Sequence, residues 1–81
     1  MRILLVEDDP LLADGVAQLL RGSGLTTDYV GSAELAEAAL ATEQFDLLVL
    51  DIGLPGMDGL ELLSRLRARH NPVHVLMLTA R

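Results

Sequence analysis

The stretch Ile3-Leu4-Leu5-Val6-Glu7-Asp8-Asp9-Pro10 decides how the chain is read. Four successive aliphatic residues with no polar alternation suit a strand buried on both faces, as in parallel sheets. Asp9-Pro10 reads as a helix start, with Asp9 as N-cap and Pro10 at the first helical position. A buried strand that passes through an acidic tripeptide straight into a helix is the opening of an α/β alternation.

Outward from this unit the alternation continues. Leu12, Val16, Leu19 and Leu20 recur at helical spacing, and Gly22 and Gly24 stop the helix. Thr26 to Val30 is a short strand of β-branched character. Gly31-Ser32 breaks it, with Ser32 as N-cap, and Leu35, Ala36, Ala39 and Leu40 form the apolar stripe of a second helix. Leu47 to Leu50 is another aliphatic run, ending at Asp51. After the turn-rich segment Gly53 to Gly59, Asp58 and Glu61 resemble a capping box. Leu62, Leu63 and Leu66 line a third helix, with Arg65, Arg67 and Arg69 toward its C-terminal end. Asn71-Pro72 closes that helix, and Val73 to Thr79 is a fourth strand. Strand and helix alternate three times before the last strand, which predicts a doubly wound α/β parallel sheet with right-handed crossovers.

Composition narrows the function. A chain of 81 residues is one domain at most, and it buries only ~60% of its unfolded surface. Its apolar fraction of 51% and charged fraction of 22% read as globular. With one Phe, one Tyr and no Trp, the core is aliphatic. A formal charge of -6 argues against nucleic-acid binding by this segment and against docking to an anionic membrane. Absence of cysteine excludes disulfides and thiolate metal sites and permits a cytoplasmic location. No apolar run approaches the ~20 residues of a membrane span. The opening Met1 to Val6 is cut off by Glu7-Asp8-Asp9 too early for a signal peptide.

Open α/β sheets gather function at the carboxyl ends of their strands. Three strands here end in polar groups: Glu7-Asp8-Asp9, Asp51 and Thr79. Neighbouring strands lie ~4.8 Å apart, so pairing of the first and third would bring Asp8 and Asp51 to one cation. Close carboxylates repel unless one takes up a proton or a cation compensates them, and hard oxygen donors suit Mg²⁺. A carboxylate beside Mg²⁺ can attack phosphorus to give an aspartyl phosphate, with the Thr79 hydroxyl as hydrogen-bond donor. Each residue alone has a plainer reading. Asp9 and Asp58 are caps, Thr79 is β-propensity, and Arg65, Arg67 and Arg69 are a solvated helix end. His70 and His74 lack spaced metal partners. The combination of Glu7, Asp8, Asp51 and Thr79 at three strand ends outweighs these readings. An aspartate-nucleophile phosphohydrolase needs Asp-x-Asp after the first strand, and a nucleotide fold needs glycines there; Glu7-Asp8-Asp9 supplies neither.

Three motifs carry a family resemblance. Leu4-Leu5-Val6-Glu7-Asp8-Asp9 resembles the first strand and acidic pair of response-regulator receivers of two-component signalling. Leu48 to Gly59 resembles their phosphoacceptor strand and loop, and Leu76-Met77-Leu78-Thr79-Ala80-Arg81 their fourth strand and switch threonine. The wording Asp51-Ile52-Gly53-Leu54-Pro55 is similar to the OmpR/PhoB class, nearest its PmrA/QseB branch. The resemblance implies a flavodoxin-like fold of strand order 2-1-3-4-5. It implies that Asp51 is the phosphoacceptor, with Mg²⁺ held by Asp8, Asp51 and the Gly53 backbone carbonyl and, through water, by Glu7. It also implies that Thr79 is the switch hydroxyl and that the chain is a phosphoryl acceptor rather than a conventional enzyme.

The implied donor is a sensor histidine kinase, and the implied output is transcriptional, with DNA bound by a C-terminal domain. Against the family pattern, residues 1–81 read as the N-terminal portion of a receiver domain. The family's fifth strand with its lysine, its aromatic switch residue and its fourth and fifth helices are not in the sequence. An apolar fourth-strand edge is then expected, and with it a homo-oligomer formed by edge pairing or element exchange. The competing expectation is an assembly fragment that is not itself phosphorylated.

Overall fold

The computed structural model describes residues 1–79. Ala80 and Arg81, which close the third motif, lie outside the described residues. The elements are β1 (Arg2–Val6), α1 (Pro10–Gly22), β2 (Thr26–Val30), α2 (Ala33–Thr42), β3 (Leu47–Asp51), α3 (Gly59–Ala68) and β4 (His74–Thr79). All strand pairs are parallel, in the order β2-β1-β3-β4. The alternation read from the sequence is therefore the observed topology, with the fourth strand beginning one residue later than expected. No helix among the described residues is long and apolar enough to cross a membrane.

The two inner strands are buried on both faces, which is why their sequences are unbroken aliphatic runs. Leu4, Val6, Leu48 and Leu50 face a core shared with Ala33, Ala36 and Leu40 of α2 and Leu62 and Leu66 of α3. Ile3, Leu5 and Val49 face the opposite side, against Ala13 and Ala17 of α1. The apolar stripe of α1 differs from the expected one. Leu19 is 74% exposed and Leu12 is also exposed, while Ala13, Val16, Ala17 and Leu20 pack inward. The four inward residues are spaced i, i+3, i+4, i+7, so small alanines let the helix sit close to the sheet. Leu35 is likewise exposed, and α2 turns Ala33, Ala36, Ala39 and Leu40 inward.

Capping sets where each helix begins and ends. Asp9 accepts from the N–H groups of Leu11 and Leu12, Ser32 from Leu35, and Asp58 from Glu61. At the end of α1, Gly24 takes φ +84, with Gly24 N–H donating to Arg21 C=O and Leu25 N–H to Leu20 C=O. This is a Schellman closure. The same closure ends α3, but its left-handed position is filled by His70, at φ 61, with His70 N–H on Arg67 C=O and Asn71 N–H on Leu66 C=O.

Arg65 and Arg69 are not simply solvated. Both pair with Glu37 of α2, at 2.6 and 3.6 Å, and clasp the two helices together. At the amino-terminal end of the sheet, Arg2 bonds Asp28 and Glu43 at 2.6 Å each and lies 4.3 Å over the Phe45 ring.

Candidate functional site

Val6 pairs with Leu50 in the β1–β3 ladder, so Glu7 and Asp51 leave the sheet side by side. Glu7 N–H continues the β1–β2 pairing by donating to Val30 C=O at 3.2 Å, which carries the ordered backbone one residue past the strand. The chain then turns at Asp8 and enters α1 at the Asp9 cap. Among the described residues, one carboxylate oxygen from each of Glu7, Asp8 and Asp51 lies within 4.8 Å of the other two. Glu7 and Asp51 are fully buried, and Asp8 is exposed at the mouth of the group.

Burial, and after it the neighbouring Asp51 carboxylate, push the Glu7 carboxyl up to about 7. A buried acid beside a second acid holds a proton to limit repulsion. A cation would serve the same purpose, so the donor set fits a hard divalent ion of the Mg²⁺ type: all oxygen, acidic, and open to water on the Asp8 side.

The loop after β3 is shaped around Asp51. Gly53 N–H donates to Asp51 Oδ1 at 3.2 Å, and Gly59 N–H to Ile52 C=O at 3.1 Å. A Cβ on Gly59 would stand 2.6 Å from the Asp51 carbonyl oxygen, so only glycine lets α3 start this close to the strand end. Leu54 is buried and anchors the loop in the core.

The structure thus brings Glu7, Asp8 and Asp51 together and sets Gly53 on the adjoining loop. Thr79 faces Asp51 across the β3–β4 ladder, after a register irregularity between Leu50 and Asp51. Its hydroxyl lies outside the described residues. Asp9 and Asp58 act as caps.

Two contacts were not legible in the sequence. Tyr29 Oη donates to the Glu7 backbone carbonyl at 2.7 Å, and Glu34 Oε2 accepts from Met57 N–H at 3.3 Å. The only signal for the first is the chain's single tyrosine, sitting at the end of the strand that flanks β1.

Comparison with known proteins agrees with this geometry. The response regulator receiver domain family matches residues 3–81. The response regulator protein PmrA of Pseudomonas aeruginosa is 54% identical over all 81 residues, which span 37% of its length. The transcriptional regulatory protein QseB of Haemophilus influenzae is 44% identical over the same residues, again 37% of its length. Among solved structures, the response regulator TrrA of Thermotoga maritima, in complex with Mg(2+)-BeF, superposes with a TM-score of 0.92 at 31% identity, over 99% of this chain and 70% of that one.

Proposed function

This chain belongs to the response regulator receiver domain family, and we propose that it accepts a phosphoryl group on Asp51 from a phosphohistidine of a sensor kinase. The observation that carries the reading is the convergence of Glu7, Asp8 and Asp51 within 4.8 Å at the carboxyl ends of β1 and β3. Support also comes from TrrA, whose complex with Mg(2+)-BeF holds a group isosteric with phosphoryl.

In the proposed reaction an Asp51 carboxylate oxygen attacks phosphorus. The new P–O bond forms as the P–N bond to the donor imidazole breaks, and the electron pair returns to that nitrogen. Gly53 N–H steadies one Asp51 oxygen at 3.2 Å, leaving the other to react. Asp8, Asp51 and the Gly53 carbonyl would hold Mg²⁺ directly, and Glu7 would do so through water. When bound, the cation neutralises charge on the carboxylates and the phosphoryl oxygens. With the cation in place Glu7 would stand as the carboxylate, its proton released to water. Thr79, opposite Asp51 in register, is the proposed hydroxyl donor to the product. The domain assignment for residues 1–81, the transcriptional output through a DNA-binding domain and the cytoplasmic setting belong to this same proposal.

Phosphotransfer from a radiolabelled kinase phosphohistidine tests it. Label should reach the chain only with Mg²⁺ present, should be released by hydroxylamine as an acyl phosphate is, and should be absent from Asp51→Asn. Equal labelling of Asp51→Asn would refute the assignment.

A further inference from the structure

Both loops that carry the acidic site are held from one short segment, the end of β2 and the first turn of α2. Tyr29, on β2, donates its hydroxyl to the Glu7 carbonyl at 2.7 Å, while Glu7 N–H donates to Val30 C=O at 3.2 Å. The carbonyl belongs to the Glu7–Asp8 peptide and the N–H to the Val6–Glu7 peptide, so the peptide planes on both sides of the Glu7 Cα are pinned to β2. With those planes set, the Glu7 Cα–Cβ direction is set, and so is the position from which Asp8 springs. Further along the same segment, Glu34 accepts from Met57 N–H at 3.3 Å. It approaches Gly56 so closely that a Cβ there would lie 2.9 Å from Glu34 Oε2. Gly56 also has φ +73, which suits glycine. Glu34 therefore grips the far limb of the loop that begins at Asp51 and Gly53.

Each contact has a plainer explanation that leaves something over. Tyrosine favours strands, but that preference does not direct the hydroxyl of a residue 41% exposed onto a backbone carbonyl. A glutamate in a first helical turn suits the helix dipole, but that does not place its oxygen on a neighbouring loop.

We infer that Tyr29 and Glu34 are positioning residues for the acidic site: Tyr29 fixes the Glu7 backbone and with it the place of Asp8, and Glu34 fixes the loop that presents Gly53. The inference rests on the reading of that site as a Mg²⁺-dependent phosphoryl acceptor. Ligands in such sites must be held to ~0.5 Å, and outer partners govern affinity without touching the ion.

Calorimetric titration of Mg²⁺ into the wild-type chain, Tyr29→Phe, Glu34→Ala and Glu34→Gln tests the inference. Tyr29→Phe and Glu34→Ala should each raise the Mg²⁺ Kd about tenfold. Glu34→Gln, whose amide oxygen can still accept from Met57 N–H, should stay within about threefold of wild type. The Asp8 amide resonance should shift in Tyr29→Phe. At saturating Mg²⁺, phosphoryl uptake by the variants should return toward the wild-type rate. A wild type that binds Mg²⁺ and variants that bind it equally well would overturn the inference. So would affinity that falls only in step with the metal-free thermal midpoint. A wild type that binds no Mg²⁺ would overturn the site reading and the positioning roles together.

Discussion

Glu7 and Asp51, both fully shielded from solvent, bring carboxylate oxygens within 4.8 Å of each other at the ends of β1 and β3. The pair makes stability depend on pH. The Glu7 carboxyl sits at about 7 in the fold, above its ordinary 4.5, so the folded chain binds the proton more tightly than the unfolded chain does. Its contribution is fully present below about pH 4.5 and is lost as pH rises through about 7. Urea midpoints measured with a chelator present should therefore fall between pH 5 and pH 8, after other carboxylates are allowed for by comparison with Glu7→Gln, whose decline should be shallower. Added Mg²⁺ should restore the midpoint most at the alkaline end, where its binding no longer has to displace a proton.

Asp51→Asn removes one of two buried acids while keeping an oxygen to accept from Gly53 N–H. Above pH 7 and without metal, this variant should be more stable than wild type, by on the order of 1 kcal/mol. Chemical denaturation at pH 8 measures it. Equal stabilities would show that the two carboxylates do not repel in the folded state.

Gly59→Ala should destabilise the chain by about 1–3 kcal/mol, despite alanine's better helix propensity, because its Cβ would meet the Asp51 carbonyl at 2.6 Å. The same displacement would move Asp51, so Mg²⁺ affinity should fall as well. Thermal melts and metal titration on one sample separate the two effects.

His70→Gly should stabilise by about 1 kcal/mol. His70 carries φ 61 in the closure of α3, where a side chain costs free energy and glycine does not. A thermal midpoint below wild type would mean that the imidazole makes up for the strain.

Leu76 pairs with Val49 in register, on the sheet face that α1 covers, yet it is 56% exposed on the outermost strand of the described sheet. The 81-residue chain should therefore self-associate, and Leu76→Lys should shift it toward monomer in light scattering. A monodisperse wild-type monomer would rule this out.

The topology was readable because Ile3 to Val6 and Leu47 to Leu50 are unbroken aliphatic runs that only a doubly covered sheet explains, and because Asp9, Ser32 and Asp58 announce the helix starts. The acidic triad was readable for a related reason: strand ends can be counted, and parallel pairing of β1 with β3 brings Asp8 and Asp51 to one place, while the burial of Glu7 beside Asp51 follows from the register alone. The inward face of α1 departs from the hydrophobic spacing because Leu12 and Leu19 outweigh Ala13 and Ala17 by hydrophobicity, while packing against a sheet favours small residues. The left-handed turn at His70 is not announced in the sequence, because glycine is the residue that marks such a position and a histidine stands there instead. Tyr29 and Glu34 were invisible because their contacts depend on where two loops come to rest, and a helical or strand periodicity does not encode that.

Intact mass after incubation with Mg²⁺ and a small acyl phosphate tests the central claim most directly, with wild type and Asp51→Asn side by side. The account predicts the gain of one phosphoryl group by wild type, abolished by chelation and absent from Asp51→Asn. A gain that survives the substitution, or no gain by a wild type shown to have bound Mg²⁺, would contradict it.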